Sequence, residues 1–187
     1  MGAVTRAAEG LDRRAFTVSE VLRMQEAGIF AEHERFELTE GEIVTMQAKG
    51  PLRETLKSAL AIQMARALSE RLWMGFEATI YLSDDTFVEP DIVVYPREFS
   101  AKGPKGADIM PAIEVSASSL AYDRGAKAQL YAQRKFQQYW VVDAFNRATY
   151  QFTDPHSLNW RRRVERGPDE VLTHPALSGF SIRLSDY

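Results

Sequence analysis

The chain is 187 residues long, with 45% hydrophobic and 26% charged residues. That balance suits an ordinary globular protein with room for one real core and too little for two comfortable ones. It has no cysteine, which excludes a disulfide framework, a thiolate zinc site and a cysteine nucleophile, and fits a reducing, cytoplasmic setting. A formal net charge of −3 argues against a protein that coats nucleic acid indiscriminately, yet leaves room for local basic patches on an enzyme.

No apolar run approaches the roughly 20 residues needed to cross a bilayer, so no membrane role is expected. Residues 1–14 are broken by charge from Arg6 onward and read as a loose arm, with one domain over 15–187. Thr17 and Glu20 form a capping-box pattern and Gly28 supplies a stop, predicting a short helix over about 18–27. FELTEGEIVTM alternates around Glu40-Gly41, the pattern of a β-hairpin. From Pro51 a long amphipathic helix is predicted through Trp73, with Leu56, Leu60, Met64, Leu68 and Leu72 repeating every four.

Gly75 breaks that pattern, and 76–82 and 87–95 read as two strands joined by Ser83-Asp84-Asp85. Pro90 marks an edge or a bulge in the second. A loop at GPKGAD precedes a strand at 109–115, and Ser118 or Ser119 can cap a helix over 120–136. Strands follow at 138–143 and 148–152, with a hairpin around Asn146, and WRRRVER and FSIRL read as peripheral sheet. The sum is an α/β fold with a mixed sheet.

Two acids lie where acids are costly. Asp91 opens the apolar run IVVY and Glu114 sits inside AIEV. A carboxylate in a buried strand must be paired or must ligate a cation, and two on neighbouring strands supply the hard oxygens that magnesium prefers. On spacing alone, a turn cap at Asp91 and an arginine partner for Glu114 are the plainer explanation. Lys127, on the helix after the Glu114 strand, could swing back over the strand end or merely pair with Asp123 at i,i+4. Two basic segments stand out, one with Arg124, Lys127, Arg134 and Lys135, the other with Arg161, Arg162, Arg163 and Arg166. Each is phosphate-binding or simply solvated. Tyr122, Tyr131, Tyr139 and Trp140 could stack on bases but have core spacing. His33, His156 and His174 lack metal-ligand spacing, and no GxSxG elbow or P-loop is present.

The strings EPDIVVYP, IEVSASSLAYDRGAKAQLYA and QYWVVD, with FELTEGEIV near the start, closely resemble the Uma2 family of restriction-endonuclease-like proteins. The resemblance spans roughly residues 17–185. It implies a PD-(D/E)xK fold: a mixed central sheet flanked by helices, with an N-terminal hairpin and a long helix. Pro90-Asp91 then matches the PD half-motif, and Glu114 the acid of the second half. The wider superfamily places lysine two residues after that acid, where this chain has Ser116. In Uma2-like sequences that lysine matches Lys127. Glu37 matches a family acid that would complete the metal shell, with a solvent-facing strand residue as the plain alternative. The histidine that often opens the family's long helix is absent from GPLRETLKSAL.

The resemblance implies a Mg2+- or Mn2+-dependent endonuclease acting on DNA. Asp91, Glu114 and the Val115 carbonyl would hold the metal, Lys127 would serve catalysis, and Arg124 and Arg134 would contact phosphates. A catalytically inactive, nucleic-acid-binding or regulatory module is the alternative, and pairing into a homodimer is compatible with both.

Overall fold

In the computed structural model, residues 14–46 and 50–187 are described. The arm expected over 1–14 lies outside them, Arg14 excepted. Helix α1 (Val18–Glu26) starts on the expected capping box, with the Thr17 side chain and Glu20 satisfying each other's backbone donors. The hairpin β1 (Phe36–Thr39) and β2 (Glu42–Thr45) closes on Glu40 at φ +51° and Gly41 at φ +79°. Two positive φ values in a two-residue loop match the right-handed twist of the flanking strands.

Helix α2 begins at Pro51 as expected but ends at Arg66. Residues 72 and 73 instead belong to β3 (Leu72–Phe76), which pairs antiparallel with β6 (Ile92–Pro96). The four-residue leucine repeat outlasts the helix because Leu68 and Leu72 still pack against the same core from non-helical backbone. The strand predicted at 76–82 is likewise divided between β3 and β4 (Ile80–Ser83). The strand predicted at 87–95 is cut into β5 (Thr86–Val88) and β6. Pro90 lies at that break, where the chain leaves one sheet for another.

The first sheet is antiparallel in the order β2-β1-β5-β4. The second has six strands in the order β10-β9-β8-β7-β6-β3. Here β7 is Ala112–Ser116, β8 Gln138–Asp143, β9 Thr149–His156 and β10 Asn159–Arg166. The β7–β8 pair is parallel, while β6–β7 and β8–β9 are antiparallel, so the sheet is mixed. The crossover from β7 to β8 is helix α3 (120–133), which carries a π-helical stretch at Asp123–Lys127. The segment FSIRL adds one isolated bridge, Leu172 to Ile182, rather than a strand.

Alternation along β6 explains the layering. Ile92 and Val94 face a core shared with Leu56, Leu60 and Met64 of α2 and with the C-terminal Leu177, Phe180 and Ile182. Val93 and Tyr95 face the opposite core, with Ala128, Tyr131 and Ala132 of α3. Both faces of the strand are buried, which is why IVVY reads as a continuous apolar run. Each fully buried leucine or isoleucine contributes about 1.5–3 kcal/mol. No helix among the described residues is long and apolar enough to cross a membrane.

Candidate active site

Asp91 sits immediately before β6 and Glu114 at the middle of β7, the adjacent strand. Both are buried, at 1% and 5% exposure. Asp91 Oδ2 accepts the Val115 N–H at 2.8 Å, so the first acid is fastened to the backbone beside the second. Its Oδ1 accepts from the Arg53 guanidinium, whose Nε also donates to the Val115 carbonyl at 2.7 Å. One arginine from the first turn of α2 therefore covers two oxygens of the expected metal shell.

Lys127 reaches the same place from α3. Its Nζ lies 2.7 Å from Glu114 Oε1 and 2.9 Å from Glu37 Oε1, and all three residues are buried. Glu37 is thus inward-facing rather than solvent-facing, and its Oε1 also accepts the Glu89 N–H at 2.7 Å. Burial works against the charge on Lys127, but Glu114 and Glu37 outweigh it and hold the ammonium protonated well above the ordinary lysine range. Burial pushes Glu114 well above the ordinary carboxylate range against the pull of Lys127, with Asp91, Asp123 and Glu37 adding to the push. Asp91 is raised by burial as well, opposed mainly by Arg53.

Asp123 and Lys127, the two ends of the π-helical stretch, are both buried. Such wide turns concentrate at functional sites. Asp123 Oδ2 accepts hydroxyls from Ser116 and Ser119, each at 2.6 Å. Ser116, standing where the wider pattern has lysine, thus ties β7 to the helix that delivers Lys127. Tyr131 OH donates to Glu114 Oε1 at 3.3 Å. Glu37, Glu114, Val115 and Lys127 line one cleft of about 90 Å³ with Arg53, Tyr122 and Asp123.

Arg124 is exposed, and its guanidinium lies over the Tyr150 ring at 3.6 Å. Arg134 points toward the β4–β5 turn, 3.4 Å from Thr86 Oγ1 and 3.9 Å from Asp85. Neither lines the cleft. Tyr131, Tyr139 and Trp140 are buried in the core, leaving Tyr122 at the cleft.

Arg53 has no motif around it. Its one sequence signal is a cation in the first helical turn, where the positive end of the helix dipole disfavours it. Asp91 offsets that cost, a contact spanning 38 positions that local reading does not reach.

Among the described residues no three carboxylate or histidine side chains converge on one point. Asp91, Glu114 and the Val115 carbonyl would offer a cation two carboxylates and a carbonyl. That chemistry fits magnesium, which takes one or two carboxylates and fills its shell with water and phosphate oxygens.

The mixed sheet flanked by helices is a restriction-endonuclease-like fold. The chain belongs to the Uma2 family, described as "Putative restriction endonuclease", whose model matches residues 18–185. Among solved structures, one titled as "a putative nuclease belonging to DUF820 from Anabaena variabilis" is similar at TM-score 0.70 and 15% identity. The match covers 91% of this chain and 96% of that one, and it shows a shared fold. No curated protein matches the chain.

Proposed function

We propose that the protein is a divalent-metal-dependent endonuclease that hydrolyses phosphodiester bonds in DNA. The observation that carries this reading is the meeting of Asp91, Glu114 and the Val115 carbonyl at the junction of β6 and β7, beside the buried ammonium of Lys127. Membership of a nuclease-described family supports the reaction class. Asp91, Glu114 and the Val115 carbonyl would hold Mg2+ or Mn2+, with Glu37 as a supporting acid. A bound cation supplies Lewis-acid polarisation of the phosphate and lowers the pKa of its water.

The chain's own groups do the positioning. Lys127, fixed between Glu114 and Glu37, offers a preorganised positive charge for the negative charge that develops on phosphate oxygens. The Val115 N–H orients the Asp91 carboxylate. Ser116, Ser119 and Asp123 fix the helix that carries Lys127. Exposed Arg124, beside the basic strand β10, is a phosphate contact for the flanking duplex, and Arg134 is a more distant one.

The test is cleavage of supercoiled plasmid and of oligonucleotides with Mn2+ or Mg2+, comparing wild type with Asp91→Asn, Glu114→Gln and Lys127→Met. Each variant is expected to lose roughly a hundredfold or more. Equal cutting by all four proteins would sink the assignment.

A second reading is a nuclease-like module that binds nucleic acid without cutting. It is favoured by one observation, the Arg53 guanidinium lying on Asp91 and on the Val115 carbonyl. Wild type that binds DNA but leaves it intact with every divalent cation would select it.

A further inference from the structure

Arg53 is an unusual neighbour for a metal centre. It rises from the third position of α2, contacts Asp91 Oδ1 through Nη2, and reaches the Val115 carbonyl through Nε. Its side chain is only 14% exposed. A guanidinium presents a rigid fork of donors, so it can satisfy two oxygens at once without water. Those two oxygens also belong to the donor set assigned above to the cation. A monovalent fork and a divalent ion cannot share them at contact distance, since their mutual repulsion in a buried site far exceeds thermal energy.

A resting place for the displaced guanidinium is already in contact. Nη1 of Arg53 lies 2.8 Å from Glu54 Oε1, and Glu54 is more open to solvent than Asp91, at 38% against 1% side-chain exposure. Rotation about the outer side-chain bonds would release Asp91 and Val115 while keeping the Glu54 contact.

We infer that Arg53 is a built-in counter-ion that stands in for the cation, so that metal binding here is an exchange of guanidinium for divalent ion. The inference rests on the metal-site reading above. Before metal arrives, the guanidinium neutralises Asp91, which otherwise would be a buried unpaired carboxylate. When metal arrives, part of its binding free energy goes into evicting Arg53, and apparent affinity falls accordingly.

Mn2+ binding to the full chain, read from the electron paramagnetic resonance signal of free Mn2+ with no nucleic acid present, tests the exchange. Arg53→Gln is expected to bind Mn2+ roughly tenfold or more tightly than wild type, because an opposing positive charge is gone. Adding Asp91→Asn to that variant is expected to abolish the gain. Affinity in Arg53→Gln equal to or weaker than in wild type, with binding still dependent on Asp91, overturns the exchange and leaves the metal site standing. Folded wild type and Arg53→Gln that both fail to bind Mn2+ overturn the exchange and the metal reading together.

Wild type alone gives a second readout should Arg53→Gln fold poorly. The Arg53 Nε–H resonance, identified by its loss in Arg53→Lys, is expected to shift and exchange faster with water as Mg2+ saturates the Val115 amide response. A Val115 amide that responds while the Arg53 resonance stays fixed, or no response from either, overturns the exchange.

Discussion

Lys127 Nζ lies 2.7 Å from Glu114 Oε1 and 2.9 Å from Glu37 Oε1, joining a helix to one strand from each of the two sheets. The ammonium is therefore both the charge offered to a substrate and the tie between layers. Removing it leaves two carboxylates buried without their cation. Lys127→Met is expected to lower stability by about 3–5 kcal/mol. Adding Glu114→Gln should return part of that loss, because the double variant no longer buries that charge. Urea unfolding of the single and double variants measures both, and a near-neutral Lys127→Met would show that the pair is not the tie described.

Asp123 holds Ser116 and Ser119 through one oxygen. Hydrogen bonds to a charged acceptor are each worth about 1.5–3 kcal/mol, so losing both in Asp123→Ala should cost roughly 3–6 kcal/mol. It should also depress cleavage beyond its effect on folding, since the π-helical stretch that aims Lys127 loses its anchor. Activity of the folded fraction equal to wild type would separate Asp123 from the site.

His174 offers a pH signature remote from the cleft. It is buried at 4% exposure against the Trp140 ring, its Nδ1 accepts the Ala176 N–H, and its Nε2 has no hydrogen-bond partner among the described residues. Burial lowers its pKa from 6.5 to about 4. Above the unfolded value the imidazole is neutral in both states and its contribution is complete. As pH falls below 6.5, the unfolded chain binds a proton that the fold refuses, and stability declines until the folded group also titrates near 4. The full loss, complete only below about pH 4, is roughly 3 kcal/mol. Between pH 7.5 and pH 5 only part of that loss is reached, so the two unfolding free energies should differ by roughly 2 kcal/mol less in His174→Phe than in wild type. Parallel pH curves would contradict the assignment.

Gly41 sits at φ +79°, and a Cβ there would stand 2.5 Å from the Ala15 Cβ. Backbone strain and collision act together, so Gly41→Ala should cost roughly 2–3 kcal/mol and lower Tm by about 5–10 °C. A change below about 1 °C in a calorimetric scan would mean that the turn relaxes without strain.

Elements set by local chemistry were legible in the sequence. The Thr17–Glu20 capping box starts α1, Glu40-Gly41 turns the first hairpin, and Pro51 opens α2, because each depends on neighbours a few positions away. The two acids were conspicuous for a related reason: Asp91 and Glu114 interrupt apolar runs, and such interruptions need a partner wherever the chain folds.

Longer-range choices were decided by tertiary pairing. The leucine repeat did not announce that Leu72 and Trp73 would pair with Pro96 and Tyr95 instead of extending the helix. Nor did the apolar stretch around Pro90 announce that its halves would join different sheets. Glu37, ambiguous by alternation, became a buried partner of Lys127 only when the two sheets met across α3. Arg53 is the clearest case, since its place on Asp91 depends on α2 packing over the β6–β7 junction. Which groups must find partners can be read from residue types along the chain, because burying charge is costly anywhere. Which partners they found follows from the packing of segments far apart along the chain, as the 38 positions between Arg53 and Asp91 illustrate.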